Sequence, residues 1–77
     1  MPLDPPPQWL LPRRQEVGAR IRTLRNEANL TQLQLADRIG RDHRTIHRWE
    51  YGTRIPSLDD LLLMADALGL SPAEFFE

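Results

Sequence analysis

Two histidines and two arginines form interleaved pairs in this chain: His43 with His47, and Arg44 with Arg48. A spacing of four residues places each pair on one face of a helix. Histidines so spaced can hold a metal ion. Here the rest of a ligand set is missing, since there is no cysteine, no other histidine, and no glutamate between the pair in an HExxH pattern. Asp42 reads as a helix cap rather than a third ligand. Neither a metal nor any other cofactor is expected. The arginines offer a different chemistry, because a planar guanidinium bonds phosphate or guanine O6 and N7 with two donors at once. Neutral histidine beside them can bond base edges, and protonated histidine can meet a phosphate. An enzyme would need a nucleophile with its base, or carboxylates converging in a pocket. Ser57 and Ser71 instead precede helix starts, and the acids of residues 57–77 read as solvated surface and helix-dipole partners. No enzyme activity is expected.

These four side chains need a rigid mount. With Ile46 pointed at a core and 100° allowed per residue, Trp49 also falls inward. Arg44, His47, Arg48 and Tyr51 then cluster near the opposite side, with His43 at its edge. Asp42 caps this helix, which runs to about Tyr51 before Gly52 breaks it. Upstream, Thr31 is a good N-cap, Leu35, Ala36 and Ile39 give a short helix its inward face, and Gly40 ends it. Leu33 lies on the far side of that helix, either as a lone exposed leucine or as part of an interface. The stretch from Leu30 to Tyr51 is thus two short helices joined by a tight turn.

The flanks read as support. Val17, Ile21, Leu24 and Ala28 follow helical spacing from Arg13 to Ala28, with Gly18 marking a close backbone approach and Asn29 a terminator. Ser57 caps a fourth helix with a stripe of Leu58, Leu61, Leu62, Ala65 and Leu68, stopped by Gly69. Ser71, Pro72 and Glu74 supply the cap, first position and capping-box acid of a short fifth helix, and Leu70 and Phe75 close the core. Strand signals are lacking, so the fold class is all-α with five helices. Residues 1–12, with five prolines, read as an extended or flexible arm that includes a PxxP match from Pro2 to Pro5. Residues 13–77 read as the domain. Trp9, Leu10 and Leu11 are unusual in such an arm, and fold back on the domain or meet a second protomer.

A chain of 77 residues is one domain at most. It buries only about 60% of its unfolded surface, which leaves little room for a large enclosed substrate cavity. There is no signal peptide and no apolar run of membrane-spanning length, so a cytoplasmic location off the membrane is expected. The net charge of −1 argues against a polyanionic partner until its distribution is examined. Residues 13–54 hold all ten arginines against five acids, a local charge of +5. Residues 57–77 hold five acids and no base, a local charge of −5. Such asymmetry suggests a basic face that works and an acidic face that does not touch the same partner.

Ordered along the chain are Gly18, Ile21, Arg22, Leu24 and Arg25 (GxxIRxLR), then Leu30, Thr31, Gln32, Leu35 and Ala36 (LTQxxLA). Gly40 and the set Thr45, Ile46, Arg48, Trp49, Glu50 and Gly52 (TIxRWExG) follow, then Pro56, the leucine-rich segment from Leu58 to Ser71, and Phe75 with Phe76. This pattern from Val17 to Phe76 resembles the lambda-repressor/Cro-like (XRE-type) helix-turn-helix DNA-binding domains. The resemblance implies a sequence-specific, double-stranded-DNA-binding transcription regulator whose helix 42–51 docks in the major groove. It implies base reading by His43, Arg44, His47 and Arg48. It implies backbone phosphate contacts by Thr31, Gln32, Tyr51, Arg54 and the amide end of the fourth helix at Ser57. It also implies a structural pair between Arg25 and Glu50. A homodimer on an inverted repeat is expected, through the fifth helix with Phe76 or the arm with Trp9. The alternative is a helical protein-interaction module, or an antitoxin, on the same fold, gripping a partner protein through Leu33, Trp9 or the C-terminal helix. Many relatives carry Gln or Ser where Arg44 and His47 stand, so their operators do not transfer to this chain.

Overall fold

A computed structural model describes residues 5–77 of the protein. The first four residues, including Pro2 of the PxxP match, lie outside the described part. Helix α1 spans Leu10–Glu27, starting three residues earlier than the proline content predicts. The reason is positional: Pro12 sits in the first turn, where backbone amides have no intrahelical acceptor and a missing donor costs nothing. Only residues 5–9 of the predicted arm are described outside the helix, and Trp9 is its N-cap. At the other end Asn29 adopts φ +58°, the left-handed conformation that stops a helix.

Helix α2 spans Gln32–Ile39 and begins in a reciprocal capping box. The Gln34 amide donates to Thr31 Oγ1 at 3.1 Å, and the Thr31 amide donates to Gln34 Oε1 at 2.9 Å. Gly40 closes it at φ +70°. Helix α3, His43–Glu50, follows after two residues, with the Arg44 amide donating to Asp42 Oδ1 at 2.8 Å. Past Tyr51 the chain doubles back, and the amides of Thr53 and Arg54 both reach the Arg48 carbonyl. Helix α4 spans Leu58–Leu68, and Gly69 ends it. Pro72–Phe76 is a 3-10 helix rather than a fifth α-helix. The Ser71 side chain makes no capping bond there; its carbonyl takes the Glu74 amide instead, the i to i+3 pattern of the tighter helix. The architecture is four α-helices and one 3-10 turn, with no strand among the described residues.

One core joins all five elements. Ile21 and Leu24 come from α1, Leu35, Ala36 and Ile39 from α2, Ile46 and Trp49 from α3, Met64 and Ala65 from α4, and Phe75 from the 3-10 turn. The phase of α4 departs from the predicted stripe. Leu58 is 70% exposed and Leu62 46% exposed, whereas Met64 is fully buried and Asp60 nearly so. Asp60 explains the rotation. Its carboxylate accepts the Ser57 amide at 3.1 Å and is bridged by Arg41 at 2.9 Å, which pins residues 60, 61, 64, 65 and 68 toward the core. An acid expected on the solvated surface is therefore a structural tether between α4 and the turn after α2. Ala28, expected on the inner face of α1, is exposed as the C-cap.

Candidate nucleic-acid interface

The seat of α3 is set from beneath by α1. A Cβ built on Gly18 would lie 2.5 Å from the carbonyl oxygens of Trp49 and Glu50, so the α1 backbone rests directly on the last turn of α3. Beside this contact lies a buried ion pair. Arg25 Nε donates to Glu50 Oε2 at 2.6 Å and Arg25 Nη2 to Glu50 Oε1 at 3.0 Å. The remaining Arg25 nitrogen bonds the Leu30 carbonyl at 2.7 Å, and Gln32 Nε2 donates to Glu50 Oε1 at 3.1 Å. The Arg25–Glu50 pair thus fastens α1, the α1–α2 connection, the start of α2 and α3 together. With Ile46 fully buried and Trp49 almost so, the inner face of α3 is immobilised.

The outer face is left free. His43, Arg44, His47 and Arg48 are all exposed, and with Gln32 they line one open cleft of about 300 Å³. Arg44 and Arg48 make no ion pair among the described residues, while His43 Nδ1 lies 3.5 Å from Asp42 Oδ1. No group of three or more metal-ligating side chains occurs among the described residues. The cleft offers donors and positive charge, which suits an anionic partner rich in acceptors.

The residues expected to touch phosphate are distributed unevenly. Gln32 joins the cleft, with one Nε2 hydrogen committed to Glu50 and a second left to donate. Thr31 has its amide bonded to Gln34, and retains its hydroxyl hydrogen. Tyr51 stands at the end of α3 with its ring 4.6 Å from that of His47. Ser57 lies outside the cleft, and its amide already holds the Asp60 carboxylate where an external anion was expected. Arg54 likewise lies apart, on the rim of an apolar groove of about 440 Å³ between α1 and the C-terminal residues. Its lining includes Leu10, Val17, Ile55, Leu61 and Phe76.

The contacts of three residues were not anticipated from sequence. Asp60 and Gln34 both stand three residues after a Ser or Thr cap, a spacing that does signal a capping box. Arg41 bridges Asp60 across 19 residues, and no local pattern announces such a pairing.

Comparison with known proteins agrees with this geometry. The family model described as helix-turn-helix matches residues 21–75, most of the chain. The protein belongs to the helix-turn-helix family, Cro/C1 type. Among curated proteins it is 34% identical over 56 residues to the cryptic phage CTXphi transcriptional repressor RstR of Vibrio cholerae. That alignment covers 73% of this chain and 50% of the relative, so the chain spans about half the length of the repressor it matches. Among solved structures it is similar to the restriction-modification controller protein C.AhdI of Aeromonas hydrophila. There the TM-score is 0.77 at 38% identity, over 79% of this chain and 92% of that one. The clp gene regulator ClgR of C. glutamicum gives a TM-score of 0.78 at 26% identity, over 83% of each chain. In this helix-turn-helix chain, α2 and α3 are the paired helices, and the exposed face of α3 carries His43, Arg44, His47 and Arg48. No helix among the described residues is long and apolar enough to cross a membrane.

Proposed function

We propose that the protein is a sequence-specific, double-stranded-DNA-binding transcription regulator that docks α3 in the major groove. The observation that carries this reading is the cleft on α3. Four basic or hydrogen-bonding side chains converge on the free face of a helix whose opposite face is locked in the core. An α-helix is about 10–12 Å wide with its side chains, which matches the ~12 Å major groove. Arg44 and Arg48 bond guanine edges and His43 and His47 contact neighbouring bases, while Thr31, Gln32 and Tyr51 set the register on phosphates. Arg54 is assigned the outermost backbone contact, since the Ser57 amide is occupied by the Asp60 carboxylate. Similarity to a phage repressor and a restriction-modification controller protein supports a bacterial or phage regulator acting in the cytoplasm, without catalytic activity of its own.

A single module of this size makes few phosphate contacts, so useful specificity calls for a homodimer on an inverted repeat about one helical turn apart. Its contact surface is assigned to the groove containing Phe76 and Ile55, which expose 65% and 60% of their surface. Selection of bound duplexes from a random pool tests the reading. An enriched inverted repeat is expected, and a pool without enrichment refutes sequence-specific binding. Sedimentation of the free and DNA-bound chain tests the dimer, and a monomer in both states at micromolar concentration removes it.

A further inference from the structure

Tyr51 connects the cleft to α1. Its ring is tilted 37° against that of His47 at 4.6 Å between centroids. Arg22, 29 residues away on α1, places its guanidinium carbon 5.7 Å from the centre of the same ring. Arg22 Nη1 also donates to the Tyr51 hydroxyl oxygen at 3.3 Å. Arg22, Tyr51 and His47 therefore form a continuous row from α1 to the free face of α3, and all three are exposed. Arg25, one turn further along α1, is buried and committed to Glu50. Arg22 makes no ion pair among the described residues.

The chemistry of this row is directional. A phenol that accepts a hydrogen bond keeps its own O–H for donation elsewhere, and a guanidinium with one donor engaged retains four. The pair thus presents several donors and one positive charge. It sits at the C-terminal end of α3, where the helix dipole by itself repels an anion. A cation supplied from α1 reverses that local preference. The matching ligand is an anion with more than one acceptor oxygen, such as a phosphodiester.

We propose that Arg22 and Tyr51 form a clamp for one backbone phosphodiester beside the C-terminal end of α3, and that the Tyr51 ring holds His47 in its base-facing position. This rests on the reading of α3 as the DNA-docking helix. Arg22 is the new element: it binds phosphate itself, beside the Tyr51 hydroxyl to which it donates.

The test measures binding of the full chain to its selected duplex and to an unrelated duplex at several salt concentrations. Arg22→Ala is expected to weaken both complexes about tenfold, the loss of a charge-assisted bond. It also makes the slope of log Kobs against log salt shallower by about 0.9, one phosphate contact. Tyr51→Phe weakens both complexes without changing the slope, because a neutral donor releases no counterion. Tyr51→Ala additionally relaxes base preference at the position that His47 reads, whereas Tyr51→Phe does not. Melting temperatures of the Arg22 and Tyr51→Phe variants stay near wild type, which separates the clamp from a folding role. An unchanged salt slope in Arg22→Ala overturns the clamp while leaving DNA binding intact. Failure of the wild-type chain to bind any duplex removes the DNA reading and the clamp with it. Equal base preference in Tyr51→Ala and wild type overturns the positioning of His47.

Discussion

Glu50→Ala is the most informative perturbation of the scaffold. The Glu50 carboxylate accepts three hydrogen bonds, from Arg25 Nε, Arg25 Nη2 and Gln32 Nε2. Its own side chain is 0% exposed and that of Arg25 only 9%, so truncation strands a guanidinium where water cannot reach it freely. Breaking a buried pair from one side costs about 3–5 kcal/mol, because the remaining charge keeps its desolvation penalty without its partner. A domain of 77 residues has roughly 4–12 kcal/mol of stability in total. The substitution therefore removes a quarter or more of what holds the fold, and the variant is expected to melt far below wild type. Urea unfolding followed by circular dichroism measures the difference. The pair as a whole need not contribute much, since replacing both charges by apolar groups removes both desolvation penalties. Arg25→Met combined with Glu50→Leu should accordingly recover most of the loss. A cost below about 1 kcal/mol for Glu50→Ala refutes the argument, because that is the range of an exposed ion pair.

Three further outcomes are expected. Gly18→Ala should lower the midpoint of unfolding even though alanine favours helix by about 1 kcal/mol, because its methyl group would meet two backbone carbonyls that cannot rotate aside; a rise in midpoint contradicts the close approach. Arg44→Ala and Arg48→Ala should each cost about 1–3 kcal/mol of binding to the selected duplex and relax base preference at one position, and an unchanged affinity in the double variant refutes the assigned readout. Asp60 supplies a pH prediction: burial acts to raise its pKa, but hydrogen bonding by Ser57 and Arg41 and the Arg41 charge outweigh it, and the net shift is downward. A depressed folded-state value means that Asp60 contributes stability above the ordinary carboxylate range. That contribution is lost as pH falls through the lowered value. Urea midpoints recorded from neutral pH downward should fall less steeply in Asp60→Asn than in wild type, and parallel curves would sink the assignment.

Much of the scaffold around the candidate site is legible from neighbours in sequence. Thr31, Asp42 and Ser57 cap helices because a short polar side chain reaches an amide two or three residues on, whatever the rest of the chain does. Gly40 and Gly69 end helices because their φ of +70° is cheap only for glycine. The division of α3 into an inner face with Ile46 and Trp49 and an outer face with Arg44 and Arg48 follows from helical period alone. These are local constraints, and the linear order of residues contains them in full.

Contacts between distant segments decided the rest. Leucine content over Leu58–Leu68 fits more than one rotation of α4, and Met64 rather than Leu58 or Leu62 faces the core because Arg41 and Ser57 hold Asp60 inward. The 3-10 geometry of Pro72–Phe76 accompanies burial of Phe75 and the bond from Arg20 Nε to the Glu74 carbonyl. The contact between Arg22 and Tyr51 exists because Gly18 lets α1 lie on the last turn of α3. Sequence by itself determined where α2, α3 and α4 are capped and stopped and which face of α3 is basic, since both depend on residues within one or two turns. Tertiary structure alone decided which side chains from other helices meet that face, because such meetings depend on crossing distances that no periodicity encodes.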